Sequence, residues 1–317
     1  MAVESTLGPV LNGTSSNNTL SVTAGTTSVQ AGAGTDTVVF SGNYADYTFS
    51  QTDSYVPLMT HKTTGQVVSL HGVEELQFDD IATYLTTTAS GEFQVNTNHM
   101  SIQQHPSTSA LSDGGFIVTW QSNDQDGSDF GIYAQRYDAN GDANGAEFQV
   151  NTYTAGDQYF PYTTALSDGG FVVTWSSDGQ DGDSTGIYAQ RYDSNSDVNG
   201  AEFQVNTYAT SSQGWVPITT ALSDGGFVVT WSSDGQDGDS WGIYAQRYDA
   251  SGDANGAEFQ VNTYTAGVQY QPSTTALSDG GFVVTWYSYG HVNGIFAQRY
   301  DSNGDANGAD VQVNTYT

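Results

Sequence analysis

Carboxylates recur in this chain at spacings that suit a hard cation. The run Asp178-Gly-Gln-Asp181-Gly-Asp183 returns as Asp234-Gly-Gln-Asp237-Gly-Asp239 and, more loosely, as Asp124-Gln-Asp126-Gly-Ser-Asp129. Glycines let each loop fold tightly, and its carboxylates supply oxygen ligands of the kind that calcium takes in sets of roughly six to eight. Ca2+ is therefore the expected cofactor. The fourth copy reads Tyr287-Ser-Tyr-Gly-His291-Val-Asn and lacks these acids. A second acidic pattern, Asp138-Ala-Asn140-Gly-Asp142, returns from Asp193, Asp249 and Asp301. Its alternating oxygens also fit a cation, but Asn-Gly is an ordinary hairpin turn, and a turn is the reading adopted.

Where the copies differ, a ligand site is expected. Phe130, Tyr159, Trp215, Trp241 and Tyr270 fall at such positions, in loops that also carry carboxylates and amides. Such rings suit carbohydrate, whose C–H faces stack on them while hydroxyls bond polar groups; rings that only fill gaps between packed sheets are the competing reading. His99 and His105 lie in the first copy and His291 in the last, near Tyr287 and Tyr289. If the first and last copies meet, His105, His291 and Tyr287 become candidates for acid and base in polysaccharide cleavage. No Ser/His/Asp order, phosphate loop or His-rich metal spacing is visible,.

These residues ride on a repeat. Leu166-Ser-Asp-Gly-Gly-Phe-Val-Val-Thr-Trp175 recurs at Leu111–Trp120, Leu222–Trp231 and Leu277–Trp286, so the four Trp positions are 55, 56 and 55 apart. A period of this length marks a copied supersecondary unit. Each period reads as four strands; in the second copy these are 147–152, 163–166, 171–175 and 187–192. Ser-Asp-Gly-Gly turns and, later in the period, Asp-Ala-Asn-Gly or Asp-Ser-Asn-Gly turns join such strands into an antiparallel meander,. Apolar residues on both faces of Phe-Val-Val-Thr-Trp require a sheet sandwiched between neighbours. The expected fold is all-β, a propeller-like closed ring of four-stranded blades over 91–317. Residues 1–32 read as a loose lead-in, and 33–85 as a small β module, with an extra blade as the alternative. The strand Glu-Phe-Gln-Val-Asn-Thr occurs a fifth time, at Glu92 or at Asp310 according to how the period is cut, and could complete a blade from both ends or pair with another molecule.

Composition narrows the partners. Five basic residues stand against 35 acidic ones, a net charge of -30, which excludes nucleic acid and anionic membrane surfaces,. The single Arg of each copy (Arg136, Arg191, Arg247, Arg299) reads as structural, paired with an Asp, because an active site is ordinarily built once. Without cysteine there is neither a disulfide framework nor a thiolate metal site,. No apolar run of about 18 residues is present, so membrane insertion is not expected,.

Ala33-Gly-Thr-Asp-Thr-Val-Val-Phe with Gly72-Val-Glu-Glu-Leu-Gln-Phe resembles the module that accompanies calcium-binding nonapeptides in repeats-in-toxin (RTX) proteins, with Gly32, Gly34 and Asp36 matching one degenerate nonapeptide. The Gly-Gly-Phe-Val-Val-Thr-Trp and Ile-Tyr-Ala-Gln-Arg-Tyr-Asp repeats resemble those of large bacterial secreted and adhesin proteins. The resemblance implies type I export and an extracellular or cell-surface setting. The combined expectation is a calcium-stabilised, carbohydrate-binding, lectin-like module, monomeric or homodimeric. The alternatives are a polysaccharide lyase or hydrolase with its site at the seam of first and last copies, and a structural spacer of a large adhesin.

Overall fold

A computed structural model describes residues 10–317 except 15, 33–35, 52–56, 72, 74, 81, 85–92, 99–100, 215, 291–292 and 316–317. The chain divides into two compact units, Met1–Phe93 and Gln94–Thr317. Both are built of strands, with one short 3-10 turn at Tyr44–Asp46 among the described residues.

In the first unit, short strands begin at residues 10, 19, 28 and 37. Alternate strands pair in parallel: Val10–Asn12 with Ser28–Gln30, and Thr19–Ser21 with Thr37–Val39. Nine residues thus carry the chain from one sheet to the other, and Leu11, Leu20, Val29 and Val38 pack into one core. The ladders continue to Val67–His71 and Glu75–Gln77, and Pro57–His61 and Tyr47–Gln51 extend one sheet antiparallel. Two readings of the sequence are corrected. Residues 10–30 are not a lead-in, because their small polar residues turn tightly between three-residue strands that bury one apolar side chain each. Nor is this unit an extra blade, since four of its ladders are parallel and it forms two sheets instead of one antiparallel meander.

The second unit holds four four-stranded antiparallel meanders. The second comprises Gln158–Ala165, Phe171–Asp178, Thr185–Tyr192 and Phe203–Gln204, in that spatial order. The first, third and fourth repeat the pattern from Gln103–Ala110, Ile218–Ala221 and Gly267–Ala276. The period is therefore cut differently from the sequence reading: Phe148–Gln149 closes the first sheet instead of opening the second.

Sheets pack face to face in chain order. Phe171, Val173, Trp175, Tyr188 and Tyr192 of the second meet Leu111, Ile117, Ile132, Ala134 and Val150 of the first. Equivalent cores join second to third and third to fourth. Burying two large residue sets per sheet in this way is the main source of stability. The closed ring of four is not formed. Among the described residues no core joins first sheet to last, and Ile295, Val311 and Val313 of the fourth lie exposed. The architecture is a propeller-like stack of four blades.

The additional copy of the outer strand serves as a cover. Val95 packs on Val118, Trp120, Tyr133 and Tyr137, the face of the first sheet that has no preceding repeat. The Thr97 N–H and hydroxyl both donate to Glu147 Oε2, at 2.7 and 3.0 Å, as Thr152 does to Glu202 one repeat later.

Candidate functional site

The site lies in the repeat unit, at the end of the sheets where the inner strands begin. The first, second and fourth inner strands each carry a proline (Pro106, Pro161, Pro272), which cannot donate to a ladder, so the pairing breaks there; Pro217 stands just ahead of the third. Registers shift between Gln104 and Ser107, Tyr159 and Tyr162, and Tyr270 and Ser273. The residue before the proline takes a left-handed backbone in each: His105 at φ 52°, Phe160 at 56° and Gln271 at 55°. Such conformations are costly for side chains of this size and concentrate at functional positions. They also re-aim the side chain out of the pleat.

Two adjoining pockets result, sharing Phe160. One, of 430 Å³, is lined by Gln104, His105, Gln121, Phe130, Asp157, Tyr159, Phe160, Thr185 and Ser212–Gly214. The other, of 530 Å³ and more apolar, is lined by Phe160, Val216, Ile218, Ser232, Trp241, Val268, Tyr270, Gln271 and Pro272. Together they form a groove across successive sheets.

Partly buried polar contacts fix its polar half. Gln121 Oε1 accepts from the Phe160 N–H at 3.0 Å, tying the second sheet's bulge to the first sheet. Asp157 Oδ1 accepts from the Phe130 N–H at 3.2 Å. The Tyr159 hydroxyl lies 3.0 Å from Thr185 Oγ1. Burial pushes the Tyr159 phenol up; the Thr185 contact opposes this, and the charges of Asp178 and Asp157 add to it. Tyr159 therefore stays protonated at neutral pH and serves as a hydrogen-bonding group, not a base. His105 meets the Phe160 ring edge-on at 4.5 Å, and Tyr159 meets it at 5.1 Å.

Of the residues singled out from sequence, the groove collects Phe130, Tyr159, Trp241, Tyr270 and His105. Tyr287 borders it through an edge-on contact with Tyr270 at 5.1 Å. Trp215, His99 and His291 lie outside the described residues. Asp157 was missed. Its signal is a difference between copies: Thr154-Ala-Gly-Asp157-Gln-Tyr against Thr265-Ala-Gly-Val268-Gln-Tyr.

The acidic loops are tied into the sheets. Asp126 accepts from the Ser128 N–H and Gln149, Asp181 from the Asp183 N–H and Gln204, and Asp237 from the Asp239 N–H and Gln260. Asp183 and Asp239 reach the next repeat, accepting from the Ser211 and Gly267 N–H groups at 3.0 and 2.9 Å. Asp124 accepts from the Asn123 amide at 2.7 Å. Among the described residues no three His, Asp or Glu side chains converge in a way that could hold a metal ion. The Asp138 loop is a turn: Asp138 Oδ1 accepts from the Asn140 and Asp142 N–H groups, and Asp193, Asp249 and Asp301 do the same,.

No family model and no curated protein matches the sequence. Solved structures do resemble it. A protein of unknown function from Dyadobacter fermentans DSM 18053 aligns at TM-score 0.51 and 11% identity, over 68% of this chain and 70% of that one. The α-L-arabinofuranosidase Arb93A from Fusarium graminearum, in complex with an iminosugar inhibitor, aligns at 0.50 and 15%, over 67% of this chain and 66% of its own. A thermostable family-43 glycoside hydrolase aligns at 0.41 and 12%, over 82% and 91%. At these identities the first two likenesses establish the fold alone, an all-β propeller-like one. The lectin-like reading of the sequence is corrected here: the neighbour of named activity that aligns at TM-score 0.50 is a glycoside hydrolase, an α-L-arabinofuranosidase.

Proposed function

We propose that the repeat unit is a polysaccharide-degrading glycoside hydrolase whose substrate lies along the groove. The observation that carries this is the joining, at Phe160, of an aromatic pocket to a polar one holding Asp157, His105 and Tyr159. The arabinofuranosidase with the same fold supports it.

The residues divide the work as follows. Trp241, Tyr270 and Phe160 offer ring faces to sugar C–H surfaces, and Gln104, Gln121 and Thr185 offer polar groups to hydroxyls. Glycoside hydrolysis needs a group that protonates the leaving oxygen and another that stabilises the anomeric centre or activates water. Asp157, an acceptor from a backbone N–H, fills the anionic role. His105 fills the proton-donor role from the first sheet, and Tyr159 orients the sugar. A net charge of -30 repels uronic-acid polymers, so the substrate is a neutral glycan, with arabinan and xylan the first to try,. Polymeric glycan is met outside the cell, which agrees with the export implied by the RTX-like repeats. The groove uses consecutive sheets and needs no closed ring.

Release of reducing ends from arabinan, xylan and polygalacturonate tests the proposal. Activity on a neutral polymer, lost in Asp157→Asn and His105→Ala with the β-sheet circular dichroism intact, supports it. Full activity in Asp157→Asn refutes it.

A further inference from the structure

We infer that the open face of the fourth repeat sheet is a docking face for one more sheet of the same repeat, bearing its own Phe-x-Val-x-Trp strand. The interface it would make already occurs three times in the molecule.

At each internal interface one sheet offers an Ile, a Val and a buried Arg to the next. Ile132, Ile187 and Ile243 are fully buried, whereas Ile295 is 41% exposed. Val150, Val205 and Val261 are at most 3% exposed, against 56% for Val313. Arg136, Arg191 and Arg247 each cross to backbone carbonyls of the next sheet's turn, at Ser194, at Ala250 and Ser251, and at Ser302. Arg299 pairs with Asp279 of its own sheet and its side chain is 49% exposed, where the others are 6–8%.

Polar half-contacts tell the same story. Thr119, Thr174 and Thr230 meet Thr163, Thr219 and Thr274 of the following sheet, hydroxyl to hydroxyl, at 2.6–2.9 Å. All four also donate to a carbonyl of their own sheet's inner strand, and for Thr285, their counterpart, this bond to Ser273 O stands without a hydroxyl of a following sheet beside it among the described residues. A terminal cap would present a polar outer face. This one keeps Ile295, Val311 and Val313 in the open,.

The chemistry of the face selects its occupant. It complements the Phe-Val-Trp surface, with its two flanking rings (Tyr-Tyr in the second and third sheets, Phe296 and Tyr300 in the fourth), that every following sheet presents. A second copy of the chain offers that surface only on its first sheet, where Val95 already covers Trp120 and Tyr137. A further repeat sheet is the occupant that fits.

The test appends a copy of residues 266–317 after Thr317 of the full chain and follows hydrogen exchange and thermal unfolding. Added repeats contribute an interface each. Slowed exchange at 294–300 and 311–313, with Tm raised by about 5 °C, is expected, and Ile295→Asp in the extended chain should remove both gains. Sedimentation equilibrium of the unextended chain should give a monomer. An appended repeat that stays unprotected, or unchanged exchange on this face, overturns the inference. So does a dimer of the unextended chain that Ile295→Asp dissociates, because a second copy would then be the occupant.

Discussion

The two ends of the repeat sheets are built by opposite rules. At one end the Ser-Asp-Gly-Gly turn and the Asp-led turns at Asp138, Asp193, Asp249 and Asp301 recur in every copy, and each Arg is bonded to the Asp of the first turn. At the other end the copies part: His105, Phe160 and Gln271 occupy one strained position, and Phe130, Thr185 and Trp241 open equivalent strands. Repetition marks the end that holds neighbouring sheets together. Divergence marks the end that holds the groove.

Changing single residues at each end sharpens this contrast. Asp157→Asn should lower kcat on a neutral glycan by about a thousandfold or more while Tm barely moves, because it removes a reacting charge and little packing. Steady-state kinetics with a melting curve checks both halves. A large fall in Tm with kcat preserved would make Asp157 part of the scaffold.

The turn end should respond in the other sense. Arg191→Ala leaves carbonyls of Ala250 and Ser251 and the Asp168 carboxylate without their donor, at a cost of about 3 kcal/mol,. Arg299→Ala, on the exposed sheet, should cost about 0.5 kcal/mol or less. Urea unfolding of the two variants measures the difference, and equal losses would break the argument that the Arg acts between sheets.

A smaller effect is expected along the groove. Trp241→Ala removes a stacking face away from Asp157, so KM should rise about tenfold with kcat nearly unchanged. A fall in kcat alone would move Trp241 from substrate binding to the reaction. The smallest effect is on pH dependence. Burial, helped by nearby carboxylates, pushes Tyr188 and Tyr244 up to about 12. A group whose pKa is raised by folding adds stability that is complete below its ordinary value near 10 and fades as pH rises toward 12,. Tm should therefore decline across that window, and Tyr188→Phe should flatten the decline.

Much of the scaffold was legible because its signals are local. Phe-Val-Val-Thr-Trp, apolar on both faces, demanded a sandwiched strand, and Ser-Asp-Gly-Gly demanded a hairpin; both occur. The short strands at 10–30 escaped notice because Leu11, Leu20 and Val29 are single apolar residues among Thr, Ser and Gly, a pattern with almost no period-2 signal. Ring closure misled for another reason: a repeat count fixes neighbours but not whether the first and last sheets meet. The aromatic half of the groove was readable from differences between copies. Asp157 was not picked out, since acids are abundant here and its position matters only once Phe130 and Tyr159 from two sheets stand beside it. The acidic loops drew attention by their carboxylates, yet Asp126, Asp181, Asp183, Asp237 and Asp239 answer backbone N–H groups and glutamines.

The central claim is that the divergent end holds and cleaves a neutral glycan. A crystal structure of Asp157→Asn soaked with an arabino- or xylo-oligosaccharide tests it most directly. The account predicts sugar rings across Trp241 and Phe160, with a glycosidic oxygen within hydrogen-bond reach of His105. Sugar bound only at the conserved turns, or a groove left empty at saturating ligand, would contradict it.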